Sequence, residues 1–125
     1  MLAGKRLIGA GCFLALVVPL LAGCGSTKSN EVDMGVAAFQ QTSVTIKAGE
    51  AVHFVDPASG GTHVICVGQD VKCTPQDGAP DALNTEQGLT FNTGDVRDIV
   101  FSTAGTYNVV CIIHPGMHVV VTVTS

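Results

Sequence analysis

The chain has 125 residues, a formal charge of −4 and no tryptophan, which allows one domain with a short appendage and excludes two full domains. Only six Lys and Arg stand against ten Asp and Glu, so the broad basic surface that grips a nucleic-acid backbone is missing. One tyrosine and five phenylalanines, set among fifteen glycines and many Val and Thr, suggest short strands joined by tight turns rather than a helical core.

Lys5 and Arg6 open the chain, and an apolar run from Leu7 to Leu21 follows, interrupted by Gly9, Gly11 and Pro19. A spanning helix needs about 20 apolar residues, and this run is shorter, so it reads as the core of an export signal. An uncleaved membrane anchor is the alternative. Leu21-Ala22-Gly23-Cys24 resembles the lipobox of bacterial lipoproteins. That resemblance implies that residues 1–23 are a lipoprotein signal peptide and that Cys24 becomes the lipidated first residue of the mature protein. A diacylglyceryl thioether with an acylated amino group anchors stably, because more than one chain enters the bilayer. On either alternative the remainder is extracytoplasmic, and on the first it is held to the bacterial cell membrane through Cys24. From Cys24 onward four basic residues face ten acidic ones, a formal −6. An acidic surface can steer a basic redox partner, although solubility alone accounts for most of these charges.

Residues 24–33 are small and polar without periodicity, which predicts a lipidated tether, with the folded domain spanning 34–125. Val44 to Lys47 alternates, Ala48-Gly49-Glu50 reads as a turn, and Ala51 to Val55 alternates again, so strand, turn, strand is expected. Asp56 to Gly61 is a loop. His63 to Val67 is a short apolar strand. Gly68 to Gly88 is a long polar loop, and Leu89-Thr90-Phe91 a brief strand. Val96 to Phe101 and Thr106 to Ile112 are strands separated by Ser102-Thr103-Ala104-Gly105, and His118 to Thr124 is the last strand. About seven short strands with turns between them predict an antiparallel sandwich.

Of five cysteines, Cys12 falls in the export signal and Cys24 at the lipid site. Cys66 and Cys73, seven residues apart, form a disulfide candidate in an exported protein. Cys111 is left over. A buried, inert thiol is one explanation, and a metal ligand is the other.

The segment Cys111-Ile112-Ile113-His114-Pro115-Gly116-Met117 favours the metal. It sets a thiolate, an imidazole and a thioether on one strand end and its turn. A trigonal His2Cys set with a long axial Met is the donor pattern of copper electron-transfer sites. The second imidazole must come from elsewhere, and His63, at a loop rim after Gly60-Gly61-Thr62, is placed to supply it. His53 is the upstream rival. It alternates with Val52 and Phe54 and so faces away from the core, while His118 points away from its neighbour Met117.

Cys-x2-His-x2-Met, preceded by Gly105-Thr106-Tyr107 and followed by a Val/Thr strand, resembles the C-terminal end of the cupredoxins, in the short-loop spacing of the amicyanin-like members. Phe39 and the stretch Ser43 to Val52 resemble their first hairpin, and the likeness spans roughly residues 36–124. It implies an all-β, Greek-key β-sandwich of about seven to eight strands and one copper ion, cycling between Cu(II) and Cu(I), held by His63, Cys111, His114 and Met117. It implies a monomeric one-electron carrier, not an enzyme, exchanging electrons with cytochrome- or oxidase-type partners. Two positions depart from the pattern. Val64 stands where many members have Asn after the first His, and Val119 where many have Gly two residues beyond the Met. Contacts around a ligand set tune its potential and rigidity, and a Cys66–Cys73 bridge is a candidate to stiffen the His63 strand instead. A copper carrier that delivers or buffers the metal is the alternative function. The mature chain's sparse Met and His count against it, and against a multicopper enzyme. A metal-free adhesion module leaves Cys111 unexplained.

Overall fold

Strands that turn alternate side chains inward, most regularly at residues 43–47, 51–55 and 118–124, build the molecule, a computed structural model that describes residues 28–125. The expected signal peptide, residues 1–23, and Cys24 lie outside the described residues. Nine strands follow in order: β1 Glu31–Asp33, β2 Ser43–Lys47, β3 Ala51–Val55, β4 His63–Gln69, β5 Lys72–Cys73, β6 Leu89–Phe91, β7 Val96–Val100, β8 Gly105–Cys111 and β9 His118–Thr124. There is no helix among the described residues. One sheet has the order β1-β3-β7, and the other runs β2-β9-β8-β4-β5 with β6 paired to β4.

The two sheets close on one core. Val32, Val52, Phe54 and Ile99 from the smaller sheet bury against Val44, Ile65, Val109, Val119 and Val121 from the larger. Phe54 sits edge-on to both Phe39 and Phe91, at centroid separations of 6.4 and 6.3 Å. Burying each such side chain contributes about 1.5–3 kcal/mol.

Three sequence expectations change. First, the tether does not reach Asp33. Glu31–Asp33 pairs in parallel with β3, and Val32 is fully buried, because one inward Val between two polar residues is enough to add an edge strand. The domain therefore begins before residue 34. Second, β2 and β3 form no hairpin. β2 pairs with β9 in parallel and β3 pairs with β7, so the turn at Ala48–Glu50 carries the chain from one sheet to the other, with Gly49 at φ +94°. The sandwich is consequently mixed rather than wholly antiparallel. Third, Lys72–Cys73 inside the expected long loop folds back on β4.

Strand direction fixes where chemistry can gather. Cys111, at the end of β8, lies opposite Ile65 near the start of β4, and Val110 pairs with His118 at the start of β9. The end of β8 and the starts of β4 and β9 thus meet at one end of the sandwich. At the other end, Ala48 N donates to Thr124 O at 2.7 Å and Asn30 Nδ2 to Ala51 O at 2.9 Å.

Candidate metal centre

His63 opens β4 and pairs in register with Phe91, which seals its ring inside the sandwich with no exposed surface. Gly61, at φ +101°, makes the bend that turns the chain inward before it. Cys111 is fully buried, and it is the one free cysteine among the described residues. His114 is half-buried on the turn after β8. That turn is closed by its own backbone: Met117 N donates to His114 O at 3.2 Å, and Cys111 N donates to Met117 O at 3.0 Å. Gly116, at φ +82°, supplies a conformation that other residues rarely adopt. Ile112 N donates to Val64 O at 2.9 Å, so the turn is also tied to the His63 strand.

These constraints bring three donors together. Cys111 Sγ lies 3.5 Å from His114 Nδ1 and 4.0 Å from His63 Nδ1. The two rings have centroids 5.0 Å apart and tilt 55° to one another. The donor atoms of all three residues fall within 4.8 Å of each other. Such separations suit a single ion bonded at about 2.0–2.3 Å to each, the range found for imidazole nitrogen and thiolate sulfur on zinc. Met117 is buried in the same cluster as Cys111.

Electrostatics keep the site ready for a cation. Burial holds His63 below its ordinary value of 6.5, against the opposing pull of the Asp56 carboxylate, and a neutral imidazole is the form that binds metal. Asp56 itself is pushed above the ordinary carboxylate value, chiefly by burial, with His63 opposing.

The other histidines stay apart. His53 contacts Asp98 across β3 and β7, and His118 is exposed with Nδ1 3.1 Å from Gly116 O. Cys66 and Cys73 are joined in a disulfide with a Cα–Cα distance of 5.6 Å. The residue missed in the sequence is Asp56. It reads there as one more loop acid before Pro57, and only the Gly60-Gly61 pair hints that something fills the space beside the backbone.

A two-layer β-sandwich with one thiolate and two imidazoles enclosed at one end defines a mononuclear metal protein with a nitrogen–sulfur centre. The model of copper-binding proteins of the plastocyanin/azurin family matches residues 26–124. Plastocyanin of Scenedesmus fuscus is 38% identical over 92 residues, 74% of this chain and 90% of that protein. Amicyanin from Paracoccus versutus shares the fold with a TM-score of 0.55 at 23% identity, covering 78% of this chain and 83% of that one. An amicyanin variant solved in its Cu(I) form gives 0.55 at 20% identity, over 74% and 79% of the two chains. The chain belongs to the plastocyanin/azurin family of copper-binding proteins, the cupredoxins. Its cofactor is copper, one ion per chain, and the His63–Cys111–His114 set fits that ion: thiolate suits Cu(I), imidazole suits Cu(II), and a mixed set serves both.

Proposed function

We propose that this cupredoxin carries single electrons between extracytoplasmic redox partners, with His63, Cys111, His114 and Met117 as its copper ligands. Copper supplies the one-electron couple between Cu(II) and Cu(I). The observation that carries the reading is the convergence of three donors on strand ends and a backbone-closed turn, with His63 and Cys111 fully buried. Donors fixed in this way have little freedom to move when the charge of the centre changes. His114 alone among the three reaches the surface, flanked in sequence by exposed Ile113, Pro115 and Gly116. An uncharged patch around a half-exposed ligand lets a partner approach closely without desolvating charge. Cytochrome- or oxidase-type proteins are the partners proposed, met by a monomer that is tethered to the bacterial cell membrane through Cys24 and performs no catalysis alone. Burial of the donors also opposes the ready metal release that a copper carrier needs.

The test is a Cu(II) titration of the purified protein, followed by visible absorption and paramagnetic resonance. An intense thiolate-to-copper band with narrow copper hyperfine splitting at one equivalent is the expected result. A colourless or weakly coloured complex, or rapid loss of the metal to a chelator, refutes the electron-transfer reading. Separately, Cys24→Ser should release the protein from membranes, and unchanged membrane association refutes the lipid anchor.

A further inference from the structure

Asp56 is the anomaly of the core. It and His63 are the fully buried polar residues among those described. Neither carboxylate oxygen of Asp56 has a hydrogen-bond partner, and neither has Nε2 of His63. These two orphaned groups face one another, with Oδ1 4.0 Å from Nε2. The carbonyls of Gly35 and Gly60 also lie near the ring, but neither meets hydrogen-bond geometry with Nε2. Buried polar groups in folded proteins are almost always paired, and shortening this contact by about 1 Å completes a hydrogen bond of ordinary length.

The surrounding chain is shaped to hold the carboxylate. Asp56 N donates to Asp95 O and Gly94 N donates to Asp56 O, each at 2.8 Å, which fixes its backbone from a neighbouring turn. Gly60 passes so close that a Cβ there would stand 1.8 Å from Oδ1 and 3.0 Å from Cγ. The space beside residue 60 is filled by the carboxylate. On the other face of the imidazole, Nδ1 is turned towards Cys111 Sγ. A metal-bound histidine commonly donates its second ring N–H to a carboxylate or carbonyl, which fixes the tautomer and the ring's orientation.

We infer that Asp56 is a positioning residue for the metal centre, accepting the Nε2–H of His63 so that Nδ1 faces the copper, and placing a negative charge behind that ligand which favours the higher oxidation state. The inference rests on the copper-site assignment proposed above. A unit charge about 8 Å from the metal, in an effective dielectric of about 20, changes an equilibrium between charge states by roughly thirtyfold.

The test uses the full chain, with Asp56→Asn and Asp56→Ser. Asn keeps the volume and an acceptor but removes the charge; Ser removes the charge and shortens the side chain, drawing its hydroxyl acceptor away from Nε2. Copper-loaded wild type should show the thiolate band. Asp56→Asn should retain that band while the Cu(II)/Cu(I) equilibrium shifts about thirtyfold towards Cu(I), equal to about 90 mV for one electron at about 59 mV per tenfold. In the Cu(I) form, nitrogen–proton correlation spectra of labelled histidine should show a downfield, slowly exchanging Nε2–H for His63 that moves upfield in both variants. Unchanged potential and an unchanged Nε2–H signal in a variant that keeps its thiolate band overturn the inference and leave the copper site standing. A wild type without the band refutes the copper site itself, and the inference with it. One folded variant suffices. Should neither fold, the wild-type resonance decides: downfield and slowly exchanging supports the role, absent or upfield overturns it.

Discussion

Removing the Cys66–Cys73 bridge tests whether the strand that carries His63 is braced from its far end. The bridge joins β4 to β5 across a sequence separation of 7. Cys66 lies directly opposite Val110, the residue before Cys111. Closing a ring of that size stabilises the fold by about 2.5 kcal/mol in the chain-entropy model. Cys66 is fully buried and Cys73 nearly so. Replacing both with Ala therefore also leaves small voids, which add a further cost of about 1 kcal/mol. The Cys66→Ala/Cys73→Ala double variant should lose about 2.5–4 kcal/mol, measured by urea denaturation of the copper-free protein so that metal binding does not mask the change. Variants are preferable to a chemical reductant, which would also reduce Cu(II). In the copper-loaded form, loss of the brace should shift the thiolate band and the potential. A stability loss below about 1 kcal/mol refutes the constraint argument. A normal loss with unchanged spectrum and potential refutes the idea that the bridge stiffens the His63 strand.

Cys111→Ser should abolish the intense visible band completely while leaving the fold, followed by circular dichroism, intact; a retained band would assign the thiolate elsewhere. Met117→Leu should keep the band and raise the reduction potential, because a weak axial donor to Cu(II) is lost, and an unchanged potential removes Met117 from the ligand set. Burial holds His63 below 6.5, so near that pH the unfolded chain binds a proton that the copper-free fold refuses. Its contribution to stability is therefore full above about pH 6.5 and is lost as pH falls through the folded value. Asp56, pushed above 3.8, acts in the opposite sense at lower pH. Urea midpoints of copper-free protein should accordingly decline from about pH 8 to about pH 6, and His63→Gln should flatten that slope. Tyr107 donates its hydroxyl to Thr103 O at 2.7 Å and lies 3.1 Å from Gly78 O, so Tyr107→Phe should cost about 1 kcal/mol in the same assay, and no loss would mean that this corner contributes nothing.

Much of the fold was legible because alternation of Val, Ile and Phe with polar residues marks a half-buried strand wherever it persists for five residues. β2 and β3 carry that mark and β9 nearly does, whereas β7 and β8 were read from their Val, Ile, Tyr and Thr content and the turn residues between them. The mark fails for β1 and β5, which have three and two residues, too few to establish a period. Nor does alternation say which strand lies beside which. Val44 and Ile46 on one side of Gly49, with Val52 and Phe54 on the other, suit a hairpin and an inter-sheet crossover equally, and the choice is made by β9 and β7, distant in the chain. The centre was legible to the extent that its residues share one turn. Cys111 and His114 stand three apart, so local geometry alone brings them together, whereas His63 needed a rim argument that the Ile65–Cys111 register now supports. Asp56 was invisible because an acid in a Pro- and Gly-rich loop is ordinarily solvated, and only its burial makes it unusual.

The pairing of β1 with β3 also sets how the molecule is held. The chain enters beside Ala51, where Asn30 is fastened, and its last strand ends nearby at Thr124. His63 and Cys111 lie at the opposite pole, separated from that entry by the length of β8, seven residues or about 23 Å at strand rise. Among the described residues, the chain thus enters at the pole opposite the metal centre. On the proposed lipid anchor, a partner can dock on His114 from the solvent side without moving between the protein and the membrane.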